Sequence, residues 1–204
     1  TLLFTFLISF PLALSAQSAE DVLQKVSVAM TAEQWEQAVS LFRQAIQLNA
    51  DKSEMFYWTS VDKASSVGTK MAQELAFHYK TMRNYDKAYL FCKEVLQKNP
   101  NDVKWLAACA ETEVCRGKEK DALLTYQKVL SLDVNHLAAN IFVGNYYYLM
   151  AEQEKQQLMR DYKKISSPTR MQYARYKDGL SKLMTDGYGK AKEYLQNVIR
   201  QFPS

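Results

Sequence analysis

Three cysteines, Cys92, Cys109 and Cys115, and two histidines, His78 and His136, are the side chains of this chain best suited to metal or nucleophilic chemistry. Zinc requires cysteines and histidines at short, paired spacings, and neither histidine stands at such a spacing from the cysteines. No Ser-His-Asp or Cys-His order is present, and no glycine-rich loop, nucleophile elbow or phosphate loop lies near either histidine. The pair Glu111 and Glu113 reads as two ordinary helix-surface acids. The sequence therefore predicts no enzyme, no metal and no cofactor. An odd number of cysteines leaves at least one thiol unpaired in an oxidising compartment. Each cysteine sits in a helical pattern among apolar residues, where a cysteine packs as a small hydrophobe.

These residues belong to a chain with 48% hydrophobic content but only six glycines and four prolines among 204 residues. That composition supports a buried core and lacks the turn residues of a multi-stranded sheet, which predicts an all-α chain. Its 26 basic and 22 acidic residues leave a formal charge of +4, too balanced for a nucleic-acid footprint or a polybasic membrane patch. Thirteen tyrosines against three tryptophans suit helix interfaces, since a tyrosine ring can pack while its hydroxyl stays in water.

At the N-terminus, the apolar run Leu2 to Leu14 passes through Ser15-Ala16-Gln17 into an acidic stretch. This is the pattern of the apolar region and cleavage site of a secretory signal peptide lacking its start, with cleavage expected after Ala16. Roughly fourteen apolar residues fall short of the ~20 a membrane-spanning helix requires. No cysteine follows the small residues, so a lipid anchor is not expected. The expectation is an exported, periplasmic or secreted chain without stable membrane insertion, beginning at residue 17.

The stretch NYDKAYLFCKEVLQKNPNDVKWLAACA, residues 84 to 110, reads as helix, break, helix, and it recurs. Ala88 falls 34 positions before Ala122, with Cys92 matching Tyr126 and Val95 matching Val129. A 34-residue period with helix-turn-helix content is the tetratricopeptide period, and the chain resembles tetratricopeptide repeat (TPR) proteins. Leu75, Ala76, Tyr79, Tyr85, Ala88 and Pro100 carry the resemblance in a unit spanning 69–102. Leu106, Ala110, Gly117, Ala122 and Tyr126 carry it in 103–136, while Cys109, Val114 and Val134 depart from the family pattern. Trp35, Ala38, Phe42 and Ala45 mark a unit at about 19–52, and sixteen extra residues, 53–68, are expected to lengthen the next helix or add a short helical turn. Val143, Gly144, Tyr147, Tyr188, Ala191, Leu195, Val198 and Pro203 mark a last unit, 137–204, interrupted by an insertion at 151–186.

The resemblance implies a right-handed α-solenoid of about four units within 17–204, with a concave groove lined by first-helix side chains. Small residues at the helix contacts allow close approach, and a single unit cannot bury its own apolar face, so stacking is required. In the insertion, the helix begun near Leu137 is expected to continue to Ile165, stop at Ser166-Ser167-Pro168, and return as a second helix in an extended hairpin. Its basic residues, Arg160, Lys163, Lys164, Arg170, Arg175 and Lys177, read first as a solvated face.

Carrying the family's groove positions over gives Lys70, Gln73, Phe77, Lys104, Glu111, Arg116, Phe142, Asn145 and Tyr148. Glu74, Lys80, Ala107, Ala108 and Ile141 stand beside them. The family's clamp for a peptide C-terminal carboxylate is absent, because the matching positions hold Gln73, Phe77, Ala108 and Ile141 or Phe142. Phe77, Phe142 and Tyr148 are equally compatible with packing beneath the insertion. The resulting expectation is a non-enzymatic protein-protein interaction scaffold of the cell envelope of a Gram-negative bacterium, binding a peptide or protein and no nucleic acid. The ends of such a stack offer contacts for a second copy. The alternative is glycan or small-ligand binding on an exposed aromatic cluster, Phe56, Tyr57 and Trp58.

Overall fold

The computed structural model describes residues 18–202, so the expected signal peptide and Pro203 lie outside the described residues. The chain divides into two compact units, with the boundary after Met71.

The first unit opens with α1 (Ala19–Thr31) and α2 (Trp35–Leu48). Ser18 and Asp21 start α1 as a reciprocal capping box, each side chain accepting a hydrogen bond from the other's backbone N–H at 3.2 Å. Such a cap satisfies donors that the first helical turn leaves orphaned. Val22, Val26 and Ala29 on α1 and Ala38, Phe42 and Ala45 on α2 are buried together in the apolar core. Full burial of one such large side chain stabilises by about 1.5–3 kcal/mol.

Residues 53–68 differ from the expectation of an extended neighbouring helix or a short turn. They form most of a separate helix, α3 (Ala50–Ser60), followed by a bend. The reason is local: Asn49 ends α2 and caps α3, its side chain accepting from Lys52 N at 3.0 Å. After α3, Asp62 turns the chain by accepting from Ala64 N at 3.0 Å, and α4 (Ser66–Thr81) begins. A Cβ on Gly68 would stand 2.3 Å from the Asp62 carbonyl oxygen, so only glycine fits this approach.

The second unit takes the remainder of α4, then α5 (Tyr85–Lys98), α6 (Val103–Cys115), α7 (Glu119–Leu132) and α8 (Leu137–Lys163). It ends with α9 (Arg170–Lys182), a π-helical segment (Leu183–Gly189) and α10 (Lys190–Gln201). Its core holds the small residues Ala76, Ala88, Ala110, Ala122, Gly144 and Ala191, all buried. Each allows a partner helix to approach more closely than a larger side chain would permit.

The repeat is visible in the backbone as well as in the side chains. The α1–α2, α4–α5 and α6–α7 turns close with one pattern, Gln34 N to Ala29 O, Asn84 N to Tyr79 O and Lys118 N to Glu113 O, at 2.8–2.9 Å. In each turn the preceding residue is left-handed: Glu33 at φ 55°, Arg83 at 57° and Gly117 at 70°. This is the Schellman ending of a helix, for which glycine is the unstrained residue. Only Gly117 meets that preference.

The last helix pair contains the expected hairpin, α8 running to Lys163 and α9 returning from Arg170. The return helix α9 starts on a capping box between Thr169 and Gln172, close to the expected stop at residues 166–168. It then passes through the π-helical segment into α10 without a loop, so the insertion and the second helix of the pair form one rod. Tyr162 stacks on Tyr176 at 4.3 Å near the far end of that arm. Among the described residues no helix is long and apolar enough to cross a membrane.

Gly68→Ala is expected to lower unfolding stability by about 1–3 kcal/mol, because two backbone segments must part. Arg83→Gly is expected to raise it by about 1 kcal/mol by removing a left-handed Cβ. Urea unfolding of the two variants measures both effects.

Candidate functional site

Phe77 on α4, Glu111 on α6 and Asn145 on α8 are separated by 34 residues each and are all exposed, while the residues just before them, Ala76, Ala110 and Gly144, are buried. A helix turns about 100° per residue, so burial of one column presents the next toward solvent. The three first helices thus offer one recurring outward position within the second unit.

Around that column the side chains interlock. The Phe77 ring is half exposed and lies 5.4 Å from the Trp105 ring. Lys104 Nζ stands 5.9 Å from the centre of the same Phe77 ring, within cation–π range. Lys80 donates to Glu111 at 2.6 Å, linking α4 to α6. Tyr148, 45% exposed, meets Tyr188 of the π-helical segment edge-on at 5.8 Å. Gln73 is half-buried on α4.

Two of the expected groove residues turn away from that column. Arg116 caps the C-terminal end of α6 and turns toward α5, donating to Asp86 at 2.7 Å with its guanidinium 4.4 Å from the Tyr89 ring. It therefore lines a surface hollow with Arg83 and Lys118 at the helix turns and leaves the outward column. Phe142 is half-buried between Tyr126, at 4.9 Å, and Tyr146, at 6.2 Å, and supports the face from below. Lys70, two turns before Phe77 on α4, falls in the first unit and pairs there with Glu36. Of the three aromatic residues that could have packed beneath the insertion, Tyr148 meets the rod, through Tyr188.

The aromatic cluster Phe56, Tyr57 and Trp58 does not form an exposed platform. Tyr57 is 1% exposed, Phe56 leans on Phe42 at 6.2 Å, and Trp58 meets the Tyr57 edge at 5.0 Å. Consecutive helical positions diverge by about 100°, so three neighbouring rings cannot share one face.

Glu113 also corrects its surface reading, since it is buried. One carboxylate oxygen lies 4.0 Å from Cys109 Sγ and the other has no hydrogen-bond partner. It occupies the position held by Tyr79 one period earlier and Tyr147 one period later. Cys92 and Cys109 are buried and unbridged beside it, and Cys115 is exposed. Burial pushes the Cys92 thiol up to about 11, against a hydrogen bond with Thr112 that pulls it down. Burial and then Glu113 push Cys109 up to about 12. Among the described residues no three metal-ligating side chains gather.

Sequence reasoning had no separate signal for a second feature. A cavity of about 630 Å³ opens between α8 and the returning rod. Tyr146, Tyr147, Met150, Leu158 and Leu183 supply much of its wall, with Glu154, Asp161, Lys182 and Asp186 around it. Beyond the cavity the tyrosines continue, with Tyr147 stacked on Tyr194 at 6.1 Å and donated to by Gln127 at 3.1 Å. Tyr188 donates to Glu152, which also accepts from Lys155 at 2.7 Å. That bonding to Lys155 holds the Glu152 carboxyl below the usual range.

No protein-family model and no curated protein matches the chain. Among solved structures, a protein of Bacteroides ovatus, provisionally described as a protein-binding protein, is 64% identical. The match covers 92% of this chain and 91% of that one, with a TM-score of 0.83. The chain belongs to that protein's family, and its own 34-residue helix register makes it a tetratricopeptide-repeat protein. MamA is 13% identical over 89% of this chain and 81% of its own, at a TM-score of 0.43. YrrB, described as a TPR protein with an unusual peptide-binding site, is 14% identical over 92% and 88%, at 0.40.

The raised thiols carry a pH consequence. An unfolded thiol ionises near pH ~8.5, whereas Cys92 and Cys109 in the folded chain stay protonated to about 11 and about 12. Above the unfolded value the unfolded state binds fewer protons, so stability is expected to fall as pH rises from about 9 toward 11. Replacing both thiols, Cys92→Ala with Cys109→Ala, should flatten that part of a thermal-unfolding series against pH. In the native protein at neutral pH a chromogenic disulfide reagent should label Cys115 promptly and the other two only on unfolding.

Proposed function

We propose that this chain is a non-enzymatic scaffold that binds a peptide or protein across the exposed first-helix face of its second unit. The observation that carries this reading is the outward column Phe77, Glu111 and Asn145, repeated at one position of three successive first helices over a packed core. An exposed aromatic ring braced by a neighbouring ring and a lysine is well made for a binding anchor, since aromatic and basic side chains ordered beforehand lose little entropy on docking. Glu111 and Lys80 pair across two helices and set a polar register beside it. The provisional protein-binding description of the Bacteroides ovatus relative agrees with this reading.

The glycan-binding alternative loses its platform with Tyr57 in the core. The chain is further proposed to act after export, in the cell envelope, on the strength of the apolar run Leu2 to Leu14 and the small residues after it.

In-cell photo-crosslinking from Tyr148, with mass spectrometry of the adduct, tests the face. A single recurring envelope protein is the expected product. In the double variant Phe77→Ala, Lys104→Glu its yield should drop about tenfold, the size of effect that losing one anchor has on an interface. An undiminished yield, or adducts only within the chain, would refute this assignment.

A further inference from the structure

The cavity between α8 and the rod formed by α9 and the π-helical segment is not a gap left by loose packing. A Cβ on Gly187 would come 2.6 Å from Ala151 Cβ, and one on Gly179 would come 3.1 Å from Leu158. The two helices therefore touch at small residues on the cavity's borders and separate between them. The separation is produced by the π-helical segment, whose wider turns shift the rod's register against α8 for seven residues. Such segments are rare and frequently occur at functional sites.

The volume of about 630 Å³ falls in the range of sites that enclose a small molecule or a few side chains. Tyr146 and Leu158 give it apolar walls. Its charge has a definite sign: three carboxylates, Glu154, Asp161 and Asp186, face one ammonium group, Lys182. Asp161 is already engaged by Lys164 at 3.0 Å and by Gln157 at 2.7 Å. Glu154 and Asp186 have no such partners among the described residues. In a chain of net charge +4, this is a locally acidic, aromatic-walled recess.

We propose that the recess receives an arginine or lysine side chain, flanked by apolar neighbours, from a protein partner. The long aliphatic stem of such a side chain packs on Tyr146 and Leu158, and its cationic head meets Glu154 and Asp186. This rests on the protein-binding reading and adds to it a second docking point, on the insertion, with a stated chemistry.

The test is amide NMR of the isotope-labelled chain titrated with acetyl-Leu-Arg-Leu-amide and, separately, acetyl-Leu-Glu-Leu-amide. Saturable shifts of the Gly179 and Gly187 amides are expected with the arginine peptide alone. They should weaken about tenfold in the double variant Glu154→Gln, Asp186→Asn and persist in Phe77→Ala, Lys104→Glu. Equal response to both peptides, no response at either glycine at millimolar peptide, or unchanged binding in the carboxylate variant would each overturn the proposal. Shifts confined to Phe77 and Asn145 would overturn the cavity assignment while leaving the first-helix face standing. Conversely, shifts at the two glycines alongside failure of the Tyr148 crosslink would keep the cavity and discard that face.

Discussion

The constraint on which the second unit depends is the approach of α10 to α8 at Gly144. A methyl group there would fall 2.8 Å from Leu195 Cγ and 3.3 Å from Tyr194 Cβ. The same column holds Ala76 and Ala110 at earlier periods, both buried. Packing helices this closely buries apolar area that neither helix could bury alone. It also fixes rotation about each helix axis, and that rotation decides which side chains face out. Asn145 and Tyr148 are exposed because Gly144 and Val143 are not.

The last helix pair shows how that packing opens a recess. After Gly144, α8 continues for nearly twenty residues past the contact that an ordinary unit requires. The returning rod meets it with a π-helical segment, so the two helices cannot stay in one register. Tyrosines fill the mismatch: Tyr147 stacks on Tyr194, Tyr148 meets Tyr188, and Tyr162 stacks on Tyr176. Their hydroxyls can reach water or a polar neighbour while their rings pack, which suits a two-helix arm with little core. The recess beside Tyr146 is the part of the mismatch that remains open. Glu113 is a different departure from the repeat. It replaces a tyrosine whose hydroxyl would reach a polar partner with a buried carboxylate that has one unpaired oxygen, a costly arrangement.

The fold was legible because a 34-residue period acts on side chains and backbone together. Ala88 and Ala122 had to be small, and the glycine-like turns at Glu33, Arg83 and Gly117 had to fall at matching places. What escaped was decided by single caps and by register. Asn49 can end one helix and begin the next, and periodicity does not reveal that it does both, so α3 read as an extension of the next helix or a short added turn. The π-helical segment has no compositional mark that separates it from an α-helix containing Gly187 and Gly189. The outward face was legible by position where side chains point straight out, as at Phe77, Glu111 and Asn145. Arg116 could not be placed from the repeat, since a helix-ending residue follows its cap and here swings to Asp86. The triplet Phe56, Tyr57 and Trp58 looked like a cluster in the sequence, and helical rotation disperses it.

The most direct test of this dependence is a double-mutant cycle on Gly144 and Leu195, read by chemical unfolding. Gly144→Ala should destabilise the fold strongly, and Leu195→Ala should relieve much of that loss, giving a coupling of about 1–3 kcal/mol. Strict additivity of the two changes, within about 0.5 kcal/mol, would contradict the account. It would mean that α8 is oriented by other contacts and that the exposure of Asn145 and Tyr148 has another cause.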